Sequence, residues 1–240
     1  MKIVIPMAGR AFKDESGYST MLYEINGKLL IEHILGHILQ DFLDSEVILI
    51  LGNETEKSLS HIAKQISPSI NVVNSLGLPS GPASSVLLAI DSIDNEDELL
   101  VVNGDQIITE SLSEIISYFR KNNWDGGLVT FNSYHPRWSF VKFDRDNKVV
   151  KTAEKQPISN QASAGVYFYK HGKIFVSSAK KMILSGLNYK NNFYMAETYN
   201  QMILNSMSVT FVNIDRNNYF KLSNDREIND YLRFTEENTR

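Results

Sequence analysis

Cysteine is absent from the chain, so disulfides, a thiolate nucleophile and Cys-ligated zinc are all excluded. Long apolar runs are absent as well. The stretch 47–51, Val-Ile-Leu-Ile-Leu, is among the longest and falls far short of the roughly 20 residues a membrane helix needs. Positive charge is not in excess: 24 Lys and Arg against 28 Asp and Glu leave −4, with no basic cluster. That balance argues against a nucleic-acid backbone as the main partner. The opening segment from Met1 to Pro6 is too short for a signal-peptide core and reads as a buried strand. No fixed repeat, low-complexity tract or Pro/Gly-rich linker divides the sequence. These absences lead us to expect a soluble protein of the cytoplasmic type.

What is present is enough for a sizeable core. The 240 residues are 42% apolar and 22% charged, and a chain of that length buries roughly 70–75% of its unfolded surface. Strand and helix patterns alternate through the first half. Apolar runs at 2–6, 47–51 and 99–102 read as strands covered on both faces, with further strands at 71–74 and 127–131. Between them, Ile31, Ile34, Leu35, Ile38, Leu39 and Phe42 recur at helical spacing, and helices are predicted near 54–65, 82–93 and 111–121. In the second half, 139–143 and 148–151 flank the turn Asp144-Arg145-Asp146-Asn147 as a hairpin. Strands at 165–169 and 208–214 and helices at 173–185, 194–205 and 225–233 follow. The pattern predicts an α/β fold: a doubly wound, mainly parallel sheet with a β-rich second half. We expect one domain over 1–240, with a nucleotide-type half at 1–133 and an acceptor half at 134–240.

Among residues that could carry chemistry, Asp105 stands out. It follows an apolar strand within Asn103-Gly104-Asp105, at the sheet edge where open α/β folds bind ligands, and a carboxylate there can hold Mg²⁺ against phosphates. The same three residue types also favour a plain turn. Met7-Ala8-Gly9-Arg10 follows the first strand, and its small residues would let backbone N–H groups approach an anion. It matches neither the G-x-G-x-x-G of dinucleotide binders nor the G-K-[ST] of a P-loop. Ser80-Gly81-Pro82-Ala83 precedes a helix, with Pro82 suited to its first position; it can serve as a cap or as a phosphate site. His33 and His37 lie four apart, but off the apolar stripe and with no Glu next to His33 on its C-terminal side, which reads as a solvated helix face. No Gly-x-Ser-x-Gly elbow supports a serine hydrolase. Glu154-Lys155 ends a strand just before Pro157 and, taken alone, is an ordinary surface pair.

Taken in order, these segments resemble the sugar-phosphate nucleotidyltransferase (nucleoside-diphosphate-sugar pyrophosphorylase) family. The resemblance rests on Ile3-Val4-Ile5-Pro6-Met7-Ala8-Gly9, Ile25-Asn26-Gly27-Lys28, Ser80-Gly81-Pro82-Ala83 and Val102-Asn103-Gly104-Asp105-Gln106. It continues through Trp138-Ser139-Phe140-Val141, Glu154-Lys155-Gln156-Pro157-Ile158-Ser159 and Ala164-Gly165-Val166-Tyr167. It implies transfer of a nucleotidyl group from an NTP to a sugar 1-phosphate or similar small phosphate, with release of pyrophosphate. It would set Ala8, Gly9, Arg10, Ser80, Gly81, Asn103 and Gly104 against the nucleotide and Asp105 on Mg²⁺. It would set Glu154 on acceptor hydroxyls, Lys155 on the acceptor phosphate, and Ser139 and Gly165 along the acceptor pocket.

The chain departs from the family pattern at three places. Gly9-Arg10 runs into Ala11-Phe12-Lys13 instead of Gly-x-Gly-[Ser/Thr]-Arg, and the usual Pro-Lys-Pro is missing before Ile25. Near the end, Lys221 stands about where an acidic second metal ligand is expected. Arg10 and Lys13, with Asp105, are accordingly the expected catalytic residues, and Lys28 or Lys221 are alternative sources of the missing charge. The reading at this point is a nucleotidyltransferase serving surface polysaccharide synthesis, with an NTP and a small phosphorylated acceptor as partners. A homo-oligomer is compatible with it. One rival is a relative that binds nucleotide or sugar phosphate in a regulatory role without turnover. The other is a glycosyltransferase of related fold, disfavoured because Asp105-Gln106-Ile107 is not Asp-x-Asp.

Overall fold

The structure, a computed structural model, describes residues 1–9, 12, 13, 15, 17–52 and 56–238. Strand β1 (Lys2–Met7) lies at its centre, with every residue from Ile3 to Met7 buried. A short hairpin, β2 (Glu24–Ile25) and β3 (Lys28–Leu29), turns through Asn26 and Gly27, both in the left-handed region that an Asn-Gly turn requires. Helix α1 (Leu30–Asp41) follows, buries Leu30, Ile31, Ile34, Leu35 and Ile38, and leads into β4 (Glu46–Leu51). Then come α2 (Glu56–Ile66), β5 (Asn71–Asn74), α3 (Pro82–Val86), α4 (Ile90–Ile93) and β6 (Leu99–Val102).

The helix expected over 82–93 is broken. A single 3-10 turn at Leu87–Ala89 separates α3 from α4, so the segment packs as two short pieces. The helix expected from 54 begins at Glu56; residue 54 itself lies outside the described residues.

After β6 the chain forms β7 (Gln106–Ile108), α5 (Leu112–Lys121) and β8 (Gly126–Asn132). The Ser111 hydroxyl caps α5 by accepting from the Glu114 N–H at 3.3 Å. The expected hairpin is present as β9 (Ser139–Phe143) and β10 (Val149–Glu154). Next are β11 (Gln161–Tyr169), α6 (Gly172–Leu184), α7 (Met195–Leu204), β12 (Val209–Ile214), β13 (Tyr219–Lys221) and α8 (Asp225–Asn238).

Strands β5, β4, β1 and β6 pair in parallel, and antiparallel β11 joins them to β9 and β10 and to β8, which pairs in parallel with β12, in one nine-stranded sheet among the described residues. Alternate side chains feed two cores. Ile3, Ile5, Leu49 and Leu100 face α1, α2, α5 and α8; Val4, Ile48, Val101 and Tyr169 face α3, α6 and α7. That two-sided cover explains why the central strands are apolar from Ile3 to Met7, from Val47 to Leu51 and from Leu99 to Val102.

Two features position the site. One edge of β11 pairs with β9 at Ala162, then with β6 from Val166 onward, while its other edge stays on β8. The change of neighbour falls at Gly165, whose φ is +71°, within a break in the β8 register between Ser163 and Tyr167. The second feature is a ribbon that sequence patterning misses: β7 pairs antiparallel with β13, setting Lys221 opposite Gln106.

A side chain at residue 165 would collide with Gln106 and Asn103 and would also hold an unfavourable φ. Gly165→Ala should therefore lower stability by about 1–3 kcal/mol. Gly36 lies mid-helix in α1 with open space around it, so Gly36→Ala should raise stability by about 0.5–1 kcal/mol. Urea midpoints at unchanged slope measure both, and equal midpoints for the two variants would contradict the assignment of Gly165.

Candidate functional site

The sheet parts where β11 exchanges β9 for β6, and a cavity of about 790 Å³ opens there at the carboxyl ends of β1 and β6. Such an edge is where open α/β sheets take ligands. Ten of the thirteen residues singled out from the sequence line it: Ala8, Gly9, Gly81, Asn103, Gly104, Asp105, Ser139, Glu154, Lys155 and Gly165. Ser80 does not line it; its carbonyl accepts the Phe193 N–H at 2.8 Å. Lys13 is also outside the lining and bridges to Ser19 in the opening loop. Arg10 lies outside the described residues.

One wall is backbone and small side chains. Ala8 and Gly9 leave β1, and Asn103 and Gly104 leave β6, with the Asn103 N–H donated to the Gly165 carbonyl at 2.9 Å. Gly81 precedes α3 with φ +93°, and Pro82 takes the first helical position, as the sequence implies. A Cβ at 81 would stand 2.6 Å from the Phe193 carbonyl oxygen and 2.7 Å from its nitrogen. Only glycine allows this approach, which ties the loop before α3 to the loop before α7.

The opposite wall carries the acceptor-side candidates. Strand β10 ends at Glu154, and Lys155 takes a left-handed conformation with φ +53°. Neighbours on a regular strand point to opposite faces; the break lets both side chains line one cavity. The Glu154 carboxylate accepts from the Ser139 hydroxyl, and burial raises its pKa above the ordinary range against the opposing pull of that bond and of Lys155. The Lys155 ammonium sits 5.3 Å and 5.5 Å from the ring centres of Tyr189 and Tyr194.

Of the other lining residues, Arg137 and Tyr219 carry no sequence signal, whereas Lys221 is one of the alternative sources of charge that the sequence offers. Arg137 stacks over Trp138 at 4.1 Å and pairs with Glu227 of α8 at 2.8 Å. Tyr219 stacks on Phe131 and donates its hydroxyl to Gln106 at 3.3 Å. Lys221 pairs with the Asp105 carboxylate, and the backbone fixes that pair, since the Leu222 N–H is donated to the Asp105 carbonyl at 2.8 Å. These residues lie 80 or more positions apart from some of their partners, and only the β7–β13 ribbon and α8 bring them together.

The donor set at Asp105 does not fit a Mg²⁺ ion held by the protein. Mg²⁺ is usually held by one or two carboxylates together with waters and substrate phosphates, and the one carboxylate at this position already holds an ammonium. Among the described residues no group of three or more His, Asp or Glu side chains converges. His33 and His37 are also not the solvated face expected of them. Tyr231 of α8 covers them, its hydroxyl 3.5 Å from a ring nitrogen of each, and burial followed by the His33 charge lowers the His37 pKa.

The nucleotidyl transferase family model matches residues 16–214. A bifunctional protein GlmU from Buchnera aphidicola is 24% identical over 221 residues, covering 89% of this chain and 46% of that protein. The GlmU of Methanocaldococcus jannaschii is 30% identical over 146 residues, covering 60% of this chain and 33% of its own length. The chain thus spans less than half of the curated relatives it matches. Among solved structures, a nucleoside-diphosphate-sugar pyrophosphorylase from Vibrio cholerae superposes with a TM-score of 0.84 at 24% identity, over 96% of this chain and 99% of that one. At that identity the likeness speaks to the fold. Among the described residues no helix is long and apolar enough to cross a membrane.

A second carboxyl near Glu154 generates a pH prediction. One oxygen of Glu197, in the first turn of α7, is buried without a hydrogen-bond partner. Burial first, then the Glu154 charge, raises its pKa from 4.5 to about 7. The folded chain then holds this proton more tightly than the unfolded chain. Stability is lost as pH rises from the ordinary value toward the raised one, and the loss is constant above it. Glu197→Gln should raise the Tm by a margin that grows between about pH 5 and about pH 7.5 and then levels off. A margin that does not change with pH would show that Glu197 titrates normally.

Proposed function

Because the chain belongs to the nucleotidyl transferase family, we propose that it joins a nucleoside triphosphate to a sugar 1-phosphate or similar small phosphate, releasing pyrophosphate. The observation that carries this reading is that two unlike walls share one cavity. A triphosphate suits the wall of Ala8, Gly9, Gly81, Asn103 and Gly104, where close backbone approach is available, and a sugar phosphate suits the wall of Ser139, Glu154, Lys155 and Gly165. In the reaction an acceptor phosphate oxygen attacks the α-phosphorus of the triphosphate. The new P–O bond forms as the bond between the α-phosphorus and its bridging oxygen to the β-phosphate breaks, and pyrophosphate leaves with that electron pair.

Such a displacement brings two polyanions together, so positioning and cationic groups matter more than acid–base groups. Lys155 holds the acceptor phosphate from a position set by two tyrosine rings. Glu154, with its pKa raised by burial, offers hydrogen bonds to acceptor hydroxyls in either protonation state. Arg10 and Lys13 remain catalytic candidates of the opening loop. Mg²⁺ stays part of the reading as an ion delivered with the nucleotide, and no step above depends on it. A role in surface polysaccharide synthesis and a cytoplasmic location complete the proposal. The rival without turnover draws support from the opening Gly9-Arg10-Ala11, which departs from the family's phosphate loop.

A pyrophosphate-release assay with each common NTP and a panel of sugar phosphates tests the proposal. Release that requires both partners is the expected result; release of a nucleoside diphosphate from an activated sugar would point to glycosyl transfer. Lys155→Ala should raise the acceptor KM by about tenfold or more while nucleotide affinity changes little. Unaltered acceptor kinetics would move Lys155 out of the site.

A further inference from the structure

We propose that the Lys221 ammonium is the built-in cation of the nucleotide wall, so that triphosphate binds there without a divalent ion held on Asp105. The proposal rests on the nucleotide reading above and specifies how that site manages charge. Its basis is the ion pair between Lys221 and Asp105, whose side chains are 18% and 13% exposed and both line the cavity.

An unpaired carboxylate at this position would repel phosphates in a partly desolvated space, where charges act more strongly than in water. Lys221 removes that repulsion. An ammonium carries three donors, so one bond to Asp105 leaves two for phosphate oxygens. The pair is held by main chain on both sides: the β7–β13 pairing sets Lys221 opposite Gln106, and Leu222 donates to the Asp105 carbonyl. The other cations of the cavity are differently engaged, Arg137 by Glu227 and Trp138, and Lys155 by Tyr189 and Tyr194. Among the described cations that line the cavity, Lys221 is the one that stands next to Asn103 and Gly104 through its partner.

A metal at Asp105 and the Lys221 ammonium compete for the same carboxylate, which makes the proposal testable by charge exchange. Calorimetric titration with ATP, CTP, GTP, UTP and dTTP, each in Mg²⁺ and in EDTA, gives the readout. The parent should bind its preferred NTP within about threefold in the two conditions. Lys221→Met should lose about tenfold or more in EDTA and recover with Mg²⁺, because the freed carboxylate can then take the ion. Lys221→Arg should behave as the parent, and Asp105→Asn should bind at least as tightly as the parent in EDTA. Unfolding of each variant without ligand shows that the fold persists. Parent binding that vanishes in EDTA, or a Lys221→Met variant indistinguishable from the parent, would overturn the proposal while leaving the nucleotide reading intact. Absence of binding by every NTP in both conditions would overturn both.

Discussion

Strand β11 must satisfy three neighbours with two edges, and the site depends on how it does so. Its nine residues are all buried, so none of its backbone groups can turn to bulk water for a partner. Along one edge β8 serves throughout. Along the other, β9 gives way to β6, and the backbone passes through the left-handed region at Gly165 to make the change. Strands that share one edge in succession must diverge, and the space between them is the cavity. The Gln106 side chain fills the position that a Cβ at 165 would need and donates to the Ala164 carbonyl, so the same glycine that splits the sheet also seats the loop after β6.

Much of the framework follows from local pattern. The runs at 99–102 and 71–74 coincide with β6 and β5, and the α1 stripe faces the core at Ile31, Ile34, Leu35 and Ile38. Burial on both faces leaves 99–102 without a polar residue, so its boundaries are visible, and β5 at the sheet edge is marked by the Asn residues that close its two valines. The missed elements are those whose partners are remote. Strands β7 and β13 have three residues each and are separated by about half the chain, so neither shows a period of its own. The break at Leu87–Ala89 has a similar origin, because Ala83, Val86, Ala89 and Ile93 are all apolar enough for one continuous helix and only packing against the sheet divides them.

The candidate site divides in the same way. Glycines are legible because their own backbone forces them, at a left-handed turn or a close approach, whereas Glu154-Lys155, by itself an ordinary surface pair at a strand end, is picked out by the family resemblance. Arg137, Tyr219 and Glu227 are not legible, since an arginine beside a tryptophan, or a tyrosine in a three-residue strand, acquires meaning only through long-range contact. The β7–β13 ribbon supplies Tyr219 and Lys221, and α8 supplies Glu227. Tyr231 of the same helix covers the two histidines, so one terminal element accounts both for missing site residues and for a face that looked solvated.

Charge in the cavity follows from that long-range assembly. Asp105, Glu154 and Glu227 face Lys221, Lys155 and Arg137 within one concavity. Three carboxylates lining a site for polyanions would oppose binding if each stood alone. The fold answers each differently: Lys221 neutralises Asp105, Arg137 neutralises Glu227, and burial favours the protonated form of Glu154. Lys155 keeps its charge against aromatic faces, which attract an ammonium without cancelling it. The wall proposed for the acceptor therefore retains a cation, while the wall proposed for the nucleotide holds an ion pair with donors to spare. On the proposed reading, such an arrangement would set the two substrate phosphates against different kinds of charge, with side chains contributed by segments as far apart as the loop after β6 and α8.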